Sequence, residues 1–174
     1  MASFIIRKYQ LSDAPSLAKH ANNRNVWMNL TDGFPHPYTL ENANQFIAMA
    51  TEKNPMIDFQ CIEVNGEAAG GIGLSFKTDV YRINAQIGYW LGEEHWNKGI
   101  VTEAIRRFTS YTFKTYGHIV RIYAPVFSHN LASMRVLEKA GYRKEAVIRQ
   151  ALVKDQKVED EHIYSVLRSE YLIN

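Results

Sequence analysis

The spacing of apolar positions predicts a short first strand around Phe4 and Ile6, where β-branched and aromatic residues favour extended backbone. Ser12-Asp13-Ala14-Pro15 then supplies N-cap chemistry with proline in the first helical turn. Leu11, Ala14, Leu17, Ala18 and Ala21 follow at helical spacing, which predicts a short amphipathic helix. Residues 22–38 are rich in Asn, Gly and Pro and read as an irregular loop. Thr39 caps a second predicted helix with the stripe Leu40, Ala43, Phe46, Ile47 and Ala50, closed by Asn54-Pro55.

From there the period shortens to two. Residues 58–64 and 67–76 predict paired strands around Asn65-Gly66, a strong hairpin signal, and a turn near Thr78-Asp79 leads into a fourth strand over 83–91. Helical spacing returns over 102–116, with Ile105, Phe108, Tyr111, Thr112 and Tyr116 on one side and Gly117 past the end. A strand over 119–126, a helix over 130–140 stopped by Gly141, and strands over 143–153 and 158–168 complete the chain. The order β-α-α-β-β-β-α-β-α-β-β predicts a mixed α/β fold. Hairpins call for antiparallel pairing, and the strand–helix–strand unit calls for a parallel crossover. No internal repeat or linker interrupts it, so one domain over residues 1–174 is expected.

Composition narrows the class without naming an activity. At 174 residues the chain can bury roughly 70% of its unfolded surface, enough for a core without staples. Twenty Lys and Arg against eighteen Asp and Glu give a net charge of +2, which advertises no nucleic-acid partner. The single cysteine, Cys61, excludes an internal disulfide and a cysteine-based zinc site, and makes the cytoplasm the expected compartment. No apolar run suits a membrane span, and the amino-terminal segment turns charged by Arg7, too soon for a signal peptide.

Several chemistries lack their motifs: there is no GxxxxGK[ST] loop, no GxGxxG, no GxSxG and no HExxH. The six histidines show no i,i+4 pair, so no metal is expected. What stands out is the entry into the long helix through Asn97-Lys98-Gly99. First-turn amides there have no intrahelical partner, and with the helix dipole they suit an anion such as phosphate. Gly99 permits close backbone approach, and Lys98 can add charge. A tight strand–helix connection would produce the same pattern.

Five blocks, IRKYQLSDAPSLAKHANN, DGFPHPYTLENANQFI, QIGYWLGEEHWNKGIVTEA, NLASMRVLEKAGYRKEAV and HIYSVLRSEY, together resemble the GNAT superfamily of N-acetyltransferases, most closely its RimJ/RimL-like branch. The resemblance implies a mostly antiparallel sheet with one splayed parallel strand pair, flanked by helices, and acetyl-CoA as cosubstrate. It implies that the pyrophosphate is held by backbone amides of Trp96, Asn97, Lys98, Gly99, Ile100 and Val101, where the helix then continues through Thr102. Trp96 and Val101 depart from the family's Q/R-x-x-G-x-G/A pattern. Backbone groups of Tyr89, Trp90 and Leu91 are implied to pair with the pantetheine arm, as an added strand would; the Trp90 side chain alone suits a core aromatic equally well.

Asn130 and Ser133 match the branch's N-x-x-S signature. The resemblance assigns Asn130 a hydrogen bond to the cofactor and Ser133 the leaving sulfur, because the tyrosine of many relatives is here Leu137. Helix capping explains both residues as well. No general base is evident: the family's two glutamate positions fall at Gln86 and near Leu152, leaving His36, Glu63, Glu93, Glu103 or water. A site without an obvious base leans to an amine that is easily deprotonated. An α-amino group near 7.8 needs only about 1 kcal/mol at pH 7, a lysine-like amine near 10.4 roughly 4.6. The loop Gly33–Tyr38 resembles the segment bordering the acceptor, and the run Glu159-Asp160-Glu161 could draw in a cation or simply be solvated.

The expected activity is acetyl transfer to a primary amine, leaning to a protein or peptide N-terminus, by direct attack in a ternary complex. Small-molecule acetylation and a catalytically weak acetyl-CoA-binding module stand as alternatives. No metal, nucleic acid or membrane is expected to take part, and the protein is expected as a monomer or homodimer.

Overall fold

In the computed structural model, which describes residues 3–171, the Asn65–Gly66 pair turns β2 (Ile57–Val64) back as β3 (Glu67–Phe76). Both turn residues have positive φ, 54° and 83°, the combination whose twist matches the flanking strands. The same device recurs at Asp155 and Gln156 (49° and 64°), which join β6 (Arg143–Lys154) to β7 (Lys157–Leu167). With β1 (Phe4–Arg7), β4 (Asn84–Leu91) and β5 (Arg121–Phe127) these form a seven-stranded sheet in the order β1-β2-β3-β4-β5-β7-β6. The sheet is mostly antiparallel, with β4 and β5 as the parallel pair, and β6 is an edge strand. The mixed α/β class expected from the order of elements is what forms.

Helices α1 (Ala14–Ala21), α2 (Arg24–Trp27), α3 (Leu40–Thr51), α4 (Ile100–Thr115), α5 (Leu131–Lys139) and α6 (Arg168–Tyr171) complete the described residues. Asp13 stands at the N-cap of α1, within the Ser12-Asp13-Ala14-Pro15 segment expected to supply it; its carboxylate accepts from the Gln10 amide at 2.8 Å and pairs with Arg7. One detail corrects the sequence reading. The loop predicted over 22–38 contains α2, because the Asn23 side chain accepts from the Asn25 and Val26 amides and so caps a single turn.

The chain divides into two compact units, Met1–Gly73 with Tyr89–Ala104 and Leu74–Gly88 with Ile105–Asn174, the division running through β3, β4 and α4. The single-domain expectation over 1–174 also takes in terminal residues outside the described range. In the first unit Leu17, Ala21, Ala43, Ile47, Cys61 and Ala68 form the core. Burial pushes the Cys61 thiol up to about 12, so it stays protonated and inert. In the second unit Phe108, Ile122, Leu137 and Tyr164 are buried. There Arg168 donates to the carbonyls of Phe113, Tyr116 and Ile119, placing a cation on the carboxyl end of α4.

Candidate functional site

In the first unit, β4 ends at Leu91 and a 3-10 turn, Glu93–His95, carries the chain to Trp96. Asn97 (φ 59°) and Gly99 (φ 76°) both adopt left-handed backbone on either side of Lys98. Asparagine tolerates that region and glycine enters it without strain, and such residues turn successive amides toward one side. The first i→i−4 bond of α4 runs from the Glu103 amide to Gly99 O at 3.2 Å. The amides of Ile100, Val101 and Thr102 therefore precede the helical ladder. Amides arranged in this way suit an anion, and their chemistry fits a pyrophosphate.

Trp96, a departure from the family pattern, has its own task. Its indole Nε1 donates to Leu91 O at 2.7 Å and ties the turn back to the end of β4. Lys98 is exposed, with its ammonium on the Glu94 carbonyl at 2.7 Å. The Trp90 side chain packs with the core of this unit, edge-on to Phe34 at 5.5 Å and above Gly71, where a Cβ would come within 3.0 Å of its Nε1. Its side chain is thus a core aromatic, leaving only main-chain groups at this position for a ligand. The Gly33–Tyr38 loop packs inward through Phe34 and Tyr38, whose phenol burial pushes up to about 12, while His36 stacks on Trp27.

In the second unit, Asn130 caps α5. Its Oδ1 accepts from the Ser133 amide at 3.0 Å, while its Nδ2 bonds to no other described residue. One side chain can therefore cap with its oxygen and still donate with its nitrogen. Ser133 is half-buried in the first turn of the helix, and Leu137, one turn on, is completely buried, where a phenol would not fit without rebuilding the core.

The candidate bases are mostly engaged. Glu63 pairs with Arg7, and Glu93 is held by the amides of Asn23 and Asn25 at 2.7 and 2.8 Å. Gln86 accepts from Lys77 and from the Tyr123 hydroxyl, and Leu152 lies on β6 opposite Glu159. On β7 the acidic run separates by partner. Glu159 takes Ser128 and His129, and Asp160 takes the Gln150 amide at 2.8 Å.

Glu161 has no hydrogen bond to another described residue, and burial pushes its carboxyl above the usual range. Strand alternation settles its face. Tyr164 points toward α5, donating to Glu138, so Glu161, Ile163 and Ser165 point the other way, in register with Phe127, Pro125 and Tyr123. That face also carries Gln86, Arg121 and Glu145. Sequence reading grouped Glu161 with its acidic neighbours. Pairing of those neighbours, invisible in the sequence, distinguishes it.

The family model "Acetyltransferase (GNAT) domain" matches residues 3–143. The chain is 38% identical over 102 residues to "Uncharacterized N-acetyltransferase YoaA" of Bacillus subtilis (strain 168), a match covering 59% of this chain and 56% of that protein. It is 28% identical over 175 residues to "Uncharacterized N-acetyltransferase p20" of Bacillus licheniformis, covering 95% of this chain and 93% of that one. Among solved structures, Mycobacterium smegmatis RimJ in complex with CoA-disulfide superimposes with a TM-score of 0.85 at 21% identity, covering 97% of this chain and 84% of that one. Among the described residues no helix is long and apolar enough to cross a membrane.

Proposed function

The chain belongs to the GNAT family of acetyltransferases, N-acetyltransferases with acetyl-CoA as cosubstrate, and from that premise we propose that it acetylates the α-amino group of a protein or peptide. The observation that carries this reading is the isolation of Glu161. It is the one partner-free carboxylate of the acidic run, half-buried, on the face that also carries Gln86 and Tyr123. A lone carboxylate is a weak base for a lysine-like amine. It favours an α-amino group by about 3.5 kcal/mol, the difference between amines near 7.8 and 10.4. The N-x-x-S signature at Asn130 and Ser133, which resembles the RimJ/RimL-like branch, supports the same acceptor.

Bound acetyl-CoA supplies the thioester. Main-chain amides from Asn97 to Thr102 hold its pyrophosphate, the Asn130 Nδ2 donates to it, and main-chain groups of Tyr89, Trp90 and Leu91 pair with its arm, a Leu91-side amide polarising the carbonyl. Glu161 takes one proton of the acceptor ammonium, the free amine forms the C–N bond, the C–S bond breaks as the Ser133 hydroxyl stabilises the departing thiolate, and the second proton lost by the nitrogen passes to that thiolate, leaving a neutral amide and the CoA thiol.

Thiol release over a panel of N-terminal peptides, an Nα-blocked lysine peptide and spermidine tests the acceptor. N-terminal peptides should give the highest kcat/KM at pH 7. Faster turnover of spermidine would replace this reading with small-molecule acetylation, and acetyl-CoA binding without turnover of any amine would leave a regulatory module. Glu161→Gln should lower kcat/KM by about 100-fold. Because burial raises this carboxyl, wild-type activity should climb with pH through its raised value, and Glu161→Gln should lose that acid limb.

A further inference from the structure

The 3-10 turn that leads into Trp96 carries a second cluster, unrelated to acetyl transfer. His20 of α1 and His95 of the turn are both buried, at 5% and 7% exposure, with ring centroids 5.3 Å apart. Glu94 stands beside them, and one ligand atom from each of the three lies within 4.8 Å of the others. The polarity of His20 is unusual. Its Nε2 meets Glu67 Oε2 at 2.8 Å, and its Nδ1 faces Glu94 Oε1 at 3.2 Å. With the proton on Nε2, the Nδ1 lone pair confronts a carboxylate oxygen, an arrangement of two acceptors that a cation between them resolves.

We propose that His20 Nδ1, the Glu94 carboxylate and His95 form a binding site for a divalent late first-row metal ion, Zn2+ in the first instance. Two imidazoles and one carboxylate are the ligand set such an ion takes when its fourth position is left to water. Glu67 then acts from outside the ligand set, holding the far nitrogen of His20 protonated and its ring in place. Gly92 keeps the near nitrogen accessible: a Cβ there would lie 2.7 Å from His20 Nδ1. The His95 side chain makes no hydrogen bond to another described residue, so its ring nitrogens are not committed elsewhere.

The remaining geometry agrees. Zinc ligands at about 2.0–2.2 Å stand roughly 3.3–3.6 Å apart in a tetrahedron, so the His20–Glu94 spacing is already right. Glu94, whose side chain is 58% exposed, can adjust its carboxylate toward the two rings. A cleft of about 420 Å³ lined by Lys19, His20, Asn22, Asn23, Glu93 and Glu94 gives an ion and its water a way in. Lys19 approaches Glu67 at 2.7 Å and Glu94 at 3.9 Å, so its ammonium competes for the same carboxylates, and binding should be moderate rather than tight. His20 lies 74 and 75 residues before Glu94 and His95, which is why histidine spacing predicted no metal. Bound there, the ion would fasten the turn preceding Trp96 to α1.

The test uses the full chain stripped with chelator and dialysed. Zn2+ titration by calorimetry should show one ion per chain, with a rise in melting temperature. Co2+ should give the intense visible bands of a four-coordinate site. Glu94→Gln, at an exposed position, should weaken Zn2+ by more than about tenfold, since even an outer partner is worth 10–100-fold. Glu67→Gln should weaken it less and leave the Co2+ bands in place. The proposal is overturned if no ion binds. It is equally overturned if Glu94→Gln binds Zn2+ as wild type does, which would place the ion on other histidines.

Discussion

The turn from Trp96 to Gly99 and the start of α5 are both strand-to-helix junctions, yet they present different chemistry. In the first, two left-handed residues lead into the opening amides of α4, which precede its helical ladder, the tryptophan beside them is tied to Leu91 O, and the lysine lies exposed on a neighbouring carbonyl. In the second, the polar groups are side chains: the Nδ2 of Asn130, the half-buried Ser133 and, across the register of β5 and β7, Glu161. A junction built from main chain tolerates changes of side chain so long as the backbone path survives. One built from side chains does not. On the reading proposed above, the departures at Trp96 and Val101 change side chains and leave the main-chain amides in place.

The sharpest way to break the comparison is Ser133→Ala. It should lower kcat by about 100-fold while the Kd for acetyl-CoA stays within error, because stabilising a leaving group acts in the transition state. Equal loss in both parameters would make Ser133 a binding residue. Next comes Gly99→Val. A β-branched residue forced to a φ of 76° costs about 1–2 kcal/mol, so acetyl-CoA should bind about 5- to 30-fold more weakly by calorimetry. Lys98→Ala beside it should change Kd by less than about threefold, as an exposed charge contributes little. Finer still in what it separates is the split at Asn130. Asn130→Asp keeps the capping oxygen and should weaken acetyl-CoA about 2- to 12-fold, the worth of one neutral hydrogen bond, with the melting temperature unchanged. Asn130→Ala should also lower stability by about 1 kcal/mol.

Much of the fold was legible because local signals and tertiary outcome agree. Asn65-Gly66 makes its hairpin, Asn130 caps α5, and Gly141 follows that helix at a φ of 94°. α2 escaped because a single turn, Arg24–Trp27, is too short to show periodicity, and its existence rests on one Asn23 side chain. The main-chain cradle was visible as Asn-Lys-Gly, since left-handed backbone selects those residues. The helix behind it begins at Ile100, two residues before the apolar spacing suggested. The side-chain chemistry was harder to read. Glu161 looks like Glu159 in the sequence, and only the pairing of Glu159 with His129 and of Asp160 with Gln150 sets it apart. His20, Glu94 and His95 form a group only once the chain has folded.

The edge position of β6 has a colloidal consequence. An unpaired strand edge bearing Val147, Ile148 and Val153 at 45–61% exposure is a template for sheet growth between molecules. Against that, its pairing with β7 slips between Ile148 and Leu152, Gln150 takes left-handed backbone, and the exposed charges Arg143, Lys144 and Arg149 stand along its length. A broken, cationic edge cannot zip to a second copy over more than a few residues. The long hairpin can therefore remain in water at high protein concentration without nucleating fibrils.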